Sequence, residues 1–128
     1  MDLPPQTAAL KQVLDAMPGA VGAPMASSRG SEPLVLIYKI MGKMFAILSV
    51  RGEQFVILKC DPFRAEMLRE SYSGVAHRSH LDPRFWISVA LDADVPANEI
   101  KELVSHSRDQ VAATLTRKQR EELASLGA

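Results

Sequence analysis

Leu10, Val13, Leu14 and Met17 recur at three- and four-residue spacing, which predicts a short amphipathic helix over residues 7–17. Pro18 and Gly19 stop it, and the aperiodic Gly-, Ala-, Ser- and Pro-rich run that follows predicts a flexible loop over 18–33. Three runs dense in Ile, Val, Leu, Phe and Tyr come next, at 34–40, 44–50 and 55–60. They are split by Met41-Gly42 and Arg51-Gly52-Glu53, which predicts an antiparallel meander. Asp61-Pro62 has the residues of a helix start, a capping carboxylate and a first-turn proline. Phe63, Met67 and Leu68 give that helix an apolar side until about residue 72. A fourth strand is expected over 85–91, with a short extended piece near 75–77. Ile100, Leu103, Val104, Ser107, Val111 and Leu115 trace one stripe of a long helix. Thr116 and Gln119 have capping-box spacing ahead of a last helix over 117–126, which packs through Leu123 and Leu126. The pattern is that of an α+β fold: an antiparallel sheet meander with helices on one face.

Composition narrows this picture. At 128 residues, 47% apolar and 23% charged, the chain is long enough for one substantial core, and a single domain over 1–128 is expected. The 15 basic and 15 acidic residues cancel, so no long-range field gathers phosphates. The charge is polarised locally: residues 29–84 hold nine basic residues against six acidic ones, a surplus of three. Cys60, the lone cysteine, excludes an internal disulfide and paired-Cys metal sites, and fits a reducing compartment. The start lacks a signal-peptide pattern and no stretch approaches the roughly 20 apolar residues of a membrane span. A cytoplasmic monomer without a membrane partner is expected.

Three motifs carry a resemblance: Lys43-Met44-Phe45-Ala46 after a glycine hairpin, Leu58-Lys59-Cys60-Asp61-Pro62 opening a helix, and His80 to Val89 around a tryptophan. Together with Ser107 to Val111 and the helical end, they make the chain from Leu34 onward resemble the MmcQ/YjbR family. That resemblance implies a CyaY-like fold and little chemistry. Members are assigned DNA binding from a proposed "double wing" of hairpins and loops. The chain departs from the family pattern in three places: SSRGSEP before the first strand, and Arg84 and Arg108 where lysine and tyrosine are usual.

The candidate site follows from strand pairing. If both hairpins turn through two residues, Ile40 faces Lys43, Met44 faces Lys39 and Ala46 faces Lys59. Lys39 and Lys59 then share one sheet face with Ala46 between them, and Lys43 sits at the hairpin tip on the other. Two ammonium groups so placed hold phosphate, and Arg51, Arg78 and Arg84 extend the patch along a polyanion such as DNA. Trp86 adds a surface for base stacking. The competing reading is that strand lysines keep an uncovered face hydrated and block edge pairing, and that Trp86 or Phe85 is core. A protein partner or a small anion is then the ligand of the sheet face.

No enzyme is expected. Cys60 ends an apolar strand and reads as a small buried hydrophobe. Ser105 and Ser107 read as helix-face residues without a nucleophile elbow. His77 and His80, three apart on an irregular segment that also holds Asp82, lack an identifiable third and fourth metal ligand. Frataxin-type iron binding needs carboxylates that the first helix and strand, with Asp2, Asp15 and Glu32, do not supply, so no metal or cofactor is implied.

Overall fold

Met41 and Gly42 take φ of 47° and 81°, the left-handed pair that a two-residue hairpin needs to match the twist of its strands. Around this turn the computed structural model, which describes residues 3–25, 34–78 and 80–126, builds its sheet. In chain order the elements are α1 (Pro5–Ala16), β1 (Ala20–Pro24), β2 (Val35–Ile40), β3 (Lys43–Ser49), β4 (Phe55–Lys59), α2 (Pro62–Ser71), β5 (Val75–Ala76), β6 (Trp86–Ala90), α3 (Ala97–Ala112) and α4 (Arg117–Leu126). The strands form one sheet in the order β1-β2-β3-β4-β6-β5, and every pairing is antiparallel. The expected meander is β2-β3-β4.

Alternation gives the sheet two different faces. Tyr38, Ala46, Leu58 and Ile87 form one row of Cα partners, with Leu48, Val56 and Val89 in the next, and all are buried. α3 lies across β3 and β4, and α1 packs on β1, β3 and α3. Leu10 and Leu14 of α1, Ala65 and Leu68 of α2, Leu103 and Val104 of α3 and Leu123 of α4 join these rows in one apolar cluster. Each fully buried Leu or Val side chain contributes about 1.5–3 kcal/mol. The other face carries no helix among these contacts.

β3 contains a bulge. Tyr38 pairs with Ala46 but Lys39 pairs with Met44, so Phe45 is an extra residue, and Phe45 and Ala46 are both buried beneath α3. The caps follow the sequence. Asp61 Oδ2 accepts the Arg64 N–H at 3.1 Å, while Thr116 and Gln119 exchange reciprocal bonds, each of 3.1 Å.

Five expectations need correction. α4 packs through Leu123, but Leu126 near its end is 60% exposed. Within the expected 18–33 loop, Ala20–Pro24 is a strand, because the small residues of AVGAP pair with β2 without an apolar alternation to reveal it. Residues 26–33 lie outside the described residues. The link between β3 and β4 is longer than two residues, and Ala46 faces Leu58 rather than Lys59. α2 buries Ala65 and Leu68, leaving Phe63 72% and Met67 51% exposed, so its inward stripe is not the one its bulkiest residues mark. Phe85 precedes β6 in a turn and is exposed, and Trp86 is only partly buried, so neither is core.

Candidate functional site

The uncovered face is built from the residues between the buried rows. Lys39 and Ile37 come from β2, Met44 and Ile47 from β3, Phe55, Ile57 and Lys59 from β4, and Trp86, Ser88 and Ala90 from β6. Lys59 and Trp86 are direct cross-strand partners. Lys39 and Lys59 share this face, but Ala46 does not lie between them, since it is fully buried against the helices. Beside Lys39 on β3 stands Met44, followed on the same face by Ile47. The surroundings of the two ammonium groups are therefore mainly apolar.

The other basic candidates are drawn elsewhere. Lys43 lies on the helix side, where its Nζ donates to the Thr114 carbonyl at 3.2 Å and to Thr114 Oγ1 at 3.3 Å, just beyond the carbonyl end of α3. Arg78 lies over the Phe55 ring, 4.1 Å from its centroid, and pairs with Glu53 at 2.6 Å. Arg84 is bound by Asp82 at 2.8 Å within the turn ahead of β6, and its guanidinium holds the Asp82 carboxyl below the usual carboxylate range. The six expected residues thus divide: Lys39, Lys59 and Trp86 on the open face, Arg78 at its end over Phe55, Lys43 and Arg84 away from it.

Residues that the sequence pattern did not single out complete the β1 side of this face. β1 is an edge strand, and 21–25 are all exposed, with Val21 at 68% and Met25 at 51%. Its side chains, with Ile37, Lys39 and Leu126 of α4, line a hollow of about 650 Å³ whose lining contains no acidic residue. Natural edges are commonly guarded by charge or proline; AVGAP has no charge, and its one proline, Pro24, stands at the end of the strand.

Burial pushes the Cys60 thiol up to about 11, so it stays protonated at neutral pH and is a poor nucleophile. His77 Nε2 lies 2.6 Å from the Leu81 carbonyl oxygen. Among the described residues no group of three or more His, Cys, Asp or Glu is placed to share a metal ion, and no helix is long and apolar enough to cross a membrane.

The comparisons agree with this architecture. A YjbR family model matches residues 16–110. The chain is 34% identical over 89 residues to the YjbR protein of Escherichia coli (strain K12), covering 69% of this chain and 75% of that one. It is 28% identical over 83 residues to the YbdF protein of Escherichia coli O157:H7, covering 64% and 68%. A crystal structure of a Deinococcus radiodurans protein with a DUF419 domain superposes with a TM-score of 0.77 at 28% identity, over 91% of this chain and 86% of that one. The names of these relatives state no activity. The chain belongs to the YjbR family.

Proposed function

We propose that the protein is a non-enzymatic binding module that takes an extended protein segment along the β1 edge, with alternate side chains of that segment entering the hollow beside it. The observation that carries this is the combination, on one side of the sheet, of an edge strand without charge, an apolar hollow of about 650 Å³ and the single charged residue of its lining, Lys39. A strand added to an edge gains main-chain hydrogen bonds, and side chains of period two gain the pocket. Lys39 selects an acidic group on the incoming segment.

Nucleic-acid binding through Lys39, Lys43, Lys59, Arg78, Arg84 and Trp86 is the competing function. Its support is Trp86 opposite Lys59 on an open sheet, the arrangement that single-strand binders use for stacking. Against it stand the carboxylates on Arg78 and Arg84, the position of Lys43 on the helix side, and the net charge of zero. The test is fluorescence anisotropy with two probes: a capped peptide of alternating valine and aspartate, and an oligothymidylate single strand. The proposal expects peptide binding that Val21→Asp abolishes, with only weak oligonucleotide binding. Oligonucleotide binding that falls steeply with salt and ignores Val21→Asp, with no binding of the peptide, overturns it in favour of nucleic acid.

A further inference from the structure

At the opposite end of the open face the sheet is floored by small residues. Ala76, Ser88 and Ala90 occupy the positions that Ile37, Ile47 and Ile57 fill elsewhere, and they leave a hollow of about 330 Å³ between β4, β5 and β6. That volume lies at the small end of ligand-pocket sizes. Small side chains alone do not make a site, but polar groups surround these. Ser88 is 4% exposed, lines the hollow, and has no hydrogen-bond partner for its hydroxyl among the described residues. Gln54, also in the wall, has a buried amide oxygen without a partner. Buried polar groups in proteins are normally satisfied, and the orphaned Gln54 oxygen at this hollow points to a ligand.

The charges in the wall have a pattern of their own. Arg78 stands over Phe55 and gives Glu53 one contact of 2.6 Å through Nη2, leaving guanidinium donors for a second acceptor. Asp92, from the turn after β6, lines the same hollow with no ion-pair partner among the described residues. One wall thus offers a cation and another an anion, with a hydroxyl on the floor.

We infer that this hollow binds a small zwitterion of free amino acid size, its carboxylate on Arg78 and its ammonium on Asp92 and the Ser88 hydroxyl. A carboxylate alone leaves Asp92 unmatched, and an amine alone leaves Arg78 unmatched. The site is separate from the β1 edge, so the peptide-docking proposal and this one stand or fail independently.

The test is an amide NMR titration of the full chain with L-alanine, propionate and isopropylamine, up to roughly 10 mM, a range that captures millimolar affinity. L-alanine is expected to give saturable shifts confined to Ser73 to Ala76 and Ser88 to Asp92, with propionate and isopropylamine each about tenfold weaker or more, since each lacks one charge-assisted contact. Ala76→Leu, at an exposed position that tolerates a larger side chain, is expected to remove the shifts while leaving the rest of the spectrum unchanged. Arg78→Gln is expected to level L-alanine with isopropylamine. No saturable shift with L-alanine, shifts that survive Ala76→Leu, or propionate binding as well as L-alanine overturns the assignment.

Discussion

Ser107, buried on α3, donates its hydroxyl to the Phe45 carbonyl at 2.5 Å and accepts the Lys59 N–H at 2.8 Å. One side chain thus satisfies the bulge on β3 and the last residue of β4, and it fixes Lys59 from beneath the sheet. Ser107→Ala leaves a donor and an acceptor without partners in a dry position, which is expected to cost about 2–3 kcal/mol. Urea unfolding should show a lower midpoint at unchanged slope, and amide exchange at Lys59 should accelerate. A loss below about 0.5 kcal/mol, the usual range of a surface substitution, would show that water replaces the hydroxyl.

Gly22 and Gly42 test two different reasons for glycine. A Cβ on Gly22 would lie 2.5 Å from Cε1 and 2.8 Å from Cζ of Tyr38, a ring that Asp15 holds through a 2.6 Å hydrogen bond and that has little room to retreat. Gly42 has φ of 81° and nothing within 4 Å of the added atom. Gly22→Ala is therefore an overpacking change of about 1–3 kcal/mol, and Gly42→Ala a backbone-strain change of about 1 kcal/mol. Thermal unfolding of the two variants should rank Gly22→Ala as the more harmful. The reverse order contradicts a rigid Tyr38.

Much of the fold was legible because its periodic segments are long. The stripe from Ile100 to Val111 and the capping pair Thr116 and Gln119 each specify one structure. β1 was not legible, since Ala, Gly and Pro side chains give no alternation to read. The placement of Lys39 and Lys59 on one face was reached through two errors that cancel. The bulge at Phe45 turns β3 over by one residue, and the longer β3–β4 link shifts the next pairing by one, so the lysines return to the same face while Ala46 moves to the opposite one. The ion pair of Arg78 with Glu53, 25 residues away, depends on how loops fold back, which spacing along a chain does not encode, whereas that of Arg84 is a local contact with Asp82 two residues before it.

Asp61 caps α2 by accepting the Arg64 N–H, with Pro62 fixing the first turn. Asp61→Ala should lower stability by about 1 kcal/mol, and Asp61→Asn or Asp61→Ser should restore most of it, because both keep an oxygen in the capping position. Chemical unfolding of the three variants measures this directly. If Asn and Ser rescue nothing, the contribution of Asp61 is one of charge and not of capping.

Phe63 and Met67, one turn apart on the exposed side of α2, contribute little to the core that Ala65 and Leu68 enter. Phe63→Ser and Met67→Gln should each change stability by less than about 0.5 kcal/mol, whereas Leu68→Ala should cost about 2–5 kcal/mol. Urea midpoints decide this, and a core-sized loss from Phe63→Ser would mean that α2 is turned about its axis to bury Phe63.

His106 on α3 accepts the Asp61 N–H at Nε2 over 3.1 Å, tying the long helix to the start of α2. Burial first, and the nearby Arg64 second, hold its pKa below the ordinary value of 6.5, while Asp61 and Asp109 oppose them. The unfolded chain therefore takes up this proton more readily than the folded one. The stability contributed by neutral His106 is complete above the unfolded pKa and is lost as pH falls below it toward the folded value. An imidazolium also has no lone pair with which to accept the Asp61 N–H. Stability should thus decline between about pH 7 and pH 5, a window set by the histidine reference value. The carboxyls of Asp15, Asp82 and Asp94, all shifted down from 3.8, titrate at more acid pH and leave this window clear. His106→Gln, which keeps an acceptor without a titrating ring, should flatten the decline when urea midpoints are compared across that range. An unchanged slope in the variant would show that His106 is not the group behind the pH dependence.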